Sequence, residues 1–207
     1  MTRIPRLVGA LVILASVGVS HVALAKDDEK FDENIRVERA DRAIVEVLGV
    51  ACSFCAYGTE KNLARLEFVN PVEEEFGGDG VLLDVKTGLI TLALRHDKRV
   101  EFADIARAIE KGGYTPVAIH VELVGTVVRR EDTLLLELPE TAGESQLFPL
   151  YALNGAPWDD DALLDQAGTV QGVVSVSSLG IDKKKVSEAA DAEVDVLVKS
   201  IEKEMES

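Results

Sequence analysis

The chain has 207 residues, enough for one or two modest domains. It carries 22 basic against 37 acidic residues, a net charge of −15, and such a surface repels phosphate backbones, so nucleic-acid binding is not expected. Two cysteines are too few to staple a fold, which must therefore rest on its apolar core.

Residues 1–25 read as a cleavable secretory leader. Arg3 and Arg6 give a positive start, Leu7 to Ser20 is almost unbroken apolar chain, and Ala23-Leu24-Ala25 places small residues where a signal peptidase reads. The apolar run is shorter than the ~20 residues of a spanning helix. No later stretch is long enough, so no stable membrane insertion is expected after cleavage; the alternative is an uncleaved N-terminal anchor. Cleavage removes two basic residues and no acid, so 22 basic residues become 20 and the net charge −17. The expected location is exported, periplasmic or extracellular.

Residues 26–42 are charged, lack apolar periodicity, and read as a flexible lead-in. Ile44 to Leu48 predicts a strand with Val45 and Val47 on one face and Glu46 on the other. Gly49 ends it. Cys55 to Leu66 has Leu63 and Leu66 at helical spacing. Phe68 to Gly80, with Asn70-Pro71 and Gly77-Gly78-Asp79-Gly80, is a loop. Val81–Val85 and Leu89–Leu94 form a hairpin around Lys86-Thr87-Gly88. Phe102, Ile105, Ala106 and Ile109 follow a helical period, Gly112-Gly113 stops that helix, and Thr115 to Val121 is again strand-like. The order predicts an α+β, ferredoxin-like βαββαβ sandwich over residues 43–122.

Residues 123–207 read differently. Leu123–Val128, Thr133–Leu138, Gln146–Leu153, Thr169–Val176 and a segment around Val194–Val198 are strand candidates, and Asp159–Gln166 is a short helix candidate. Five strands with one short helix form a small β-barrel resembling an OB-fold. The segment from Val121 to Ser207 has 7 basic and 18 acidic residues, net −11, and its aromatics are Phe148, Tyr151 and Trp158. That is a poor platform for stacking nucleic-acid bases. No Ser/His/Asp motif, Gly-rich phosphate loop or HExxH pattern occurs, so binding without catalysis is expected.

The chemistry concentrates in Gly49-Val50-Ala51-Cys52-Ser53-Phe54-Cys55. Cys52 leaves the first strand, and Cys55 stands near the start of the first helix. Unpaired helix N–H groups and the helix dipole there favour thiolate. Two thiolates suit Cu(I) or Hg(II); zinc ordinarily takes four ligands. His96 and His120 read as strand-end residues rather than ligands. A CxxC at a helix start also serves thiol–disulfide exchange, with Cys52 as the exposed nucleophile, or forms a plain disulfide.

The motif with Thr59-Glu60-Lys61-Asn62-Leu63, together with Ile105-Ala-Arg-Ala-Ile-Glu-Lys-Gly-Gly-Tyr-Thr-Pro116, resembles the two signature ends of the heavy-metal-associated domain family, whose members include copper chaperones and periplasmic mercury-binding proteins. The resemblance covers about Ala43 to Leu123. It implies Cys52 and Cys55 as metal ligands, Tyr114 close beside the metal, and a protein partner that exchanges Cu(I) or Hg(II). Val50 stands where the family usually has Met, the side chain that anchors the loop in the core. Ala51 precedes the first cysteine, where an acidic residue accompanies zinc or cadmium preference. The further alternative is a degenerate copy whose fold serves only as an interaction module.

Overall fold

The computed structural model describes residues 31–49, 53–72, 76, 78–140, 145–179 and 194–203. The expected leader lies outside them. In chain order the elements are β1 (Arg42–Leu48), α1 (Ser53–Leu63), β2 (Val81–Asp84), β3 (Leu89–Ala93), α2 (Phe102–Lys111), β4 (Thr115–Arg130), β5 (Thr133–Glu137), β6 (Leu147–Ala152), β7 (Ala167–Ser175) and β8 (Val196–Lys203). Short 3-10 turns at Asp161–Leu163 and Val176–Leu179 flank β7.

The strands form one sheet in the order β2-β3-β1-β4-β5-β6-β8-β7, and a β4–β7 pairing closes its last five strands into a barrel. Every pair is antiparallel except β6–β8. The period-2 pattern of β1 places Ala43, Val45 and Val47 inside. On α2, Phe102, Ile105, Ala106 and Ile109 recur at i, i+3, i+4 and i+7 and are all buried. The apolar core runs from under the two helices into the barrel, where Leu134, Leu136, Phe148 and Leu150 are buried. Phe102 of α2 meets Phe148 of β6 edge to face, 5.9 Å between centroids.

The fold expectation needs correction. In place of a ferredoxin-like sandwich followed by a small OB-like barrel, the described residues form a mostly β molecule with two α-helices and a closed five-stranded barrel. The physical reason lies in β4. The runs read as two strands, Thr115–Val121 and Leu123–Val128, are one strand of 16 residues. Glu122 does not break it, because the Gln171 side chain on neighbouring β7 donates to its carboxylate. Over Ala118–Val121 the strand pairs with β1 on one edge and β7 on the other, and from Thr126 onward β5 takes the place of β1. The same strand therefore belongs to the helix-covered sheet and to the barrel.

Two further segments differ from expectation. Asp159–Gln166 is not a helix: only Asp161–Leu163 turns, Asp160 caps it by accepting from Ala162 N, and Asp165 at φ 56° ends it in left-handed backbone. The described part of the lead-in, from Phe31, is tied to the sheet: Lys199 Nζ donates to Ile35 O and the Gln171 amide holds both backbone groups of Val37.

Candidate metal centre

β1 ends at Leu48, and Gly49 takes φ +84°, a left-handed conformation that turns the chain away from the sheet. Val50, Ala51 and Cys52 lie outside the described residues. Cys55 is in the first turn of α1 and is exposed. That turn contains no acidic residue to offset the partial positive charge of the helix start. One turn on, Thr59 is fully buried, and its hydroxyl donates to Cys55 O at 3.3 Å.

The far motif packs against that turn. A Cβ on Gly112 would overlap Thr59 Oγ1 and stand 2.8 Å from Thr59 Cβ, so only glycine lets the end of α2 come this close to α1. Gly113 follows at φ +92° and directs the chain into Tyr114, which is 4% exposed. Tyr114 N donates to Ile109 O at 3.3 Å. Pairing of Leu48 with Thr115 and Val47 with Pro116 holds the exits of both loops side by side. The helix turn carrying Cys55 and the Gly112–Tyr114 segment thus share one end of the sheet. The β2–β3 turn is there as well, since Val47 N donates to Gly88 O at 2.9 Å. Leu48 and Tyr57, 62% and 59% exposed, leave large apolar side chains in water around this end.

The other candidates fall elsewhere. His96 is exposed on the loop after β3. His120 is not a strand-end residue: it is in the interior of β4 and 1% exposed. Among the described residues no three His, Cys, Asp or Glu side chains stand together as a metal-binding group. Trp158 is partly buried against the barrel core, Phe148 lies within it and Tyr151 packs on a second apolar cluster, so the three aromatics share no face. Of the acidic run, Asp161 pairs with Arg129 and Asp160 is used as a cap. A cavity of about 340 Å³ opens between β4, β6 and the loop after β3, lined by Leu94, Leu123 and Phe148 among others; Cys55 is not part of it.

Sequence reasoning missed the His120 cluster. Its signal was Glu46, a lone carboxylate inside an apolar strand, which has to find a partner on the neighbouring strand.

No known family profile matches the chain, and no curated protein matches it. Among solved structures, a CopZ metallochaperone is a weak structural neighbour, at 22% identity and a TM-score of 0.31. The match covers 37% of this chain and 98% of that one. No helix among the described residues is long and apolar enough to cross a membrane.

Proposed function

We propose that the chain is an exported soft-metal-binding protein that holds Cu(I) or Hg(II) as cargo between the thiolates of Cys52 and Cys55. The observation that supports this best is the position of Cys55: exposed, in the first turn of a helix, at the sheet end where the Gly112–Tyr114 turn packs. Two thiolates satisfy a soft monovalent or linear divalent ion without a third protein ligand. Transfer proceeds by ligand exchange, one partner thiolate replacing one of this chain's at a time, with no change of oxidation state. The exposed Leu48 and Tyr57 offer that partner an apolar contact beside the cysteines. Tyr114 braces the turn beside the site. The leader places the carrier in the periplasm or outside the cell, and no catalytic step is assigned to it.

The test is a titration of the reduced chain with Cu(I) against a competing chelator, beside Cys52→Ser/Cys55→Ser. One tight site that vanishes in the double variant supports the proposal. Equal affinity in the two proteins refutes it, and cysteine-dependent reduction of a model disulfide without metal affinity points to thiol exchange instead.

A further inference from the structure

His120 joins three parts of the chain. Its Nε2 lies 2.5 Å from Glu46 Oε1 on β1, and its Nδ1 lies 2.7 Å from Lys199 Nζ on β8. An ammonium only donates, so Nδ1 accepts and the imidazole proton sits on Nε2, donated to Glu46. The same two partners hold the segment before β1. Glu46 Oε1 also accepts from Asp32 N at 2.9 Å, and Lys199 Nζ also donates to Ile35 O at 2.6 Å. The Phe31 ring meets His120 edge-on at 6.2 Å and packs on the second apolar cluster, Val117, Ala118, Val173 and Leu197. Two residues beyond Ile35, Val37 is held separately: its N–H donates to Gln171 Oε1 at 3.2 Å and its carbonyl accepts from Gln171 Nε2 at 2.7 Å.

We propose that residues 31–36 form an acid-released strap, latched by the neutral imidazole of His120 and hinged at Val37. With Nε2 already protonated, the ring takes a further proton at Nδ1. It then faces the Lys199 ammonium, donor against donor and charge against charge, at a ring that is itself 1% exposed. The charged groups around the pair are Glu46 on β1, Lys199 on β8, and Asp32, Glu33 and Arg36 on the strap; β7 contributes no charged side chain, its polar groups there being the Gln171 amide and the Ser175 hydroxyl. Glu46 already accepts at Nε2, so its charge does not relieve the conflict at Nδ1, where the Lys199 ammonium offers a second donor and no acceptor. Lys199 keeps its proton and turns out to solvent, which frees the Ile35 carbonyl and lifts Phe31 from the apolar cluster. Burial holds His120 below the ordinary imidazole value, against the opposing pull of Glu46.

Residue-resolved amide exchange on the full chain tests this between about pH 7.5 and pH 5, with each rate corrected for its intrinsic pH dependence. Release by one proton lowers the protection of the Asp32 amide by up to about tenfold per pH unit below the imidazole titration. The Val37 amide, bonded to a neutral side chain, keeps its protection. In His120→Gln the amide can donate to Glu46 and accept from Lys199 but takes no proton, so Asp32 stays protected at acid pH. Three results overturn the proposal: unchanged Asp32 protection, equal loss at Val37 and in β4, or the same loss in His120→Gln. Should that variant not fold, the ring titration of His120 in the natural chain decides. Its midpoint must coincide with the loss of Asp32 protection, and a separate midpoint overturns the latch.

Discussion

Three glycines near the cysteine-bearing helix respond differently to the same added methyl group, and the structure fixes each sign. Gly112 has ordinary backbone, φ −76°, so its substitution is a matter of space alone. Its Cβ would overlap Thr59 Oγ1 and stand 2.8 Å from Thr59 Cβ and 3.0 Å from Thr59 Cα. Thr59 is fully buried and cannot swing away, so α1 and the end of α2 must part. Overpacking of that kind costs about 1–3 kcal/mol. Gly113 has open space but φ +92°, so alanine there costs about 1 kcal/mol of left-handed strain. Gly58 lies within α1 with nothing within 4 Å, and alanine there gains up to about 1 kcal/mol of helix propensity. Urea unfolding measures all three, followed by far-ultraviolet circular dichroism for the helices and by the single Trp158 for the barrel. Coincident transitions license the two-state reading. Thr59→Ala alone should cost about 1 kcal/mol through its lost hydrogen bond to Cys55 O. Combined with Gly112→Ala it should recover about 1 kcal/mol relative to the sum, because part of the overlap disappears. A Gly112→Ala stability within about 0.5 kcal/mol of the natural chain refutes the close approach of α2 to α1.

Other consequences follow from the barrel and the ion pairs. Phe148→Ala removes a buried ring that contacts Phe102 and should cost about 3–5 kcal/mol in the same unfolding assay. Arg129→Ala breaks exposed pairs with Asp161 and Asp159 and should change stability by no more than about 1 kcal/mol, a loss that high salt also produces. For pH the sign follows from His120. Its folded pKa is held below the ordinary 6.5 by burial, so the unfolded chain takes the proton first and stability falls as pH drops below about 6.5. Glu122 acts in the opposite sense, since burial raises its pKa and protonation favours the folded state. Stability measured across pH 5–8 should therefore show the acid loss in the difference between the natural chain and His120→Gln, and equal slopes refute it.

The elements around the cysteines were legible because each carries a local period. Val45 and Val47 alternate, α2 repeats its apolar side chains at helical spacing, and Lys86-Thr87-Gly88 reads as a turn. What joins those elements was not legible, because the information lies in pairs distant in sequence. Glu122 looked like a polar break between two strands until Gln171, 49 residues away, bonded to it. The lead-in looked unstructured because it has no apolar period, yet its bonds run to Gln171 and Lys199, at separations of 134 and 164 residues. The acidic run at Asp159–Asp161 has helix-start chemistry, and Asp160 does cap a turn. Asp165 in left-handed backbone then stops it, so the chain can return Asp165 N to Val127 O at 2.8 Å. Of the candidate site, the sequence offered Cys55 and Tyr114 as separate pieces, and the β1–β4 pairing is what brings the turns that carry them to one end of the sheet. Thr59 as the contact that sets Gly112 was hidden, since a threonine in a helix carries no sequence sign of burial.

His120 also bears on how the chain keeps its register. Over Ala118–Val121, β4 is bonded on both edges, to β1 and to β7, so a slip would break two ladders at once. The side-chain period of two makes a one-residue slip worse, because it exchanges the faces of the strand. Ile119 and Val121 belong to the main core, whereas His120 faces Glu46 and Lys199. A slip would carry the imidazole into that core without either partner and bring Ile119 or Val121 against a carboxylate and an ammonium. Both moves leave buried polar groups unsatisfied, at about 1–3 kcal/mol or more each. An apolar residue at 120 would remove that penalty and leave the strand less tightly specified. The cluster that latches the strap thereby also aligns β4, and through the Leu48–Thr115 pairing it sets where the Gly112–Tyr114 turn stands relative to the cysteine-bearing helix.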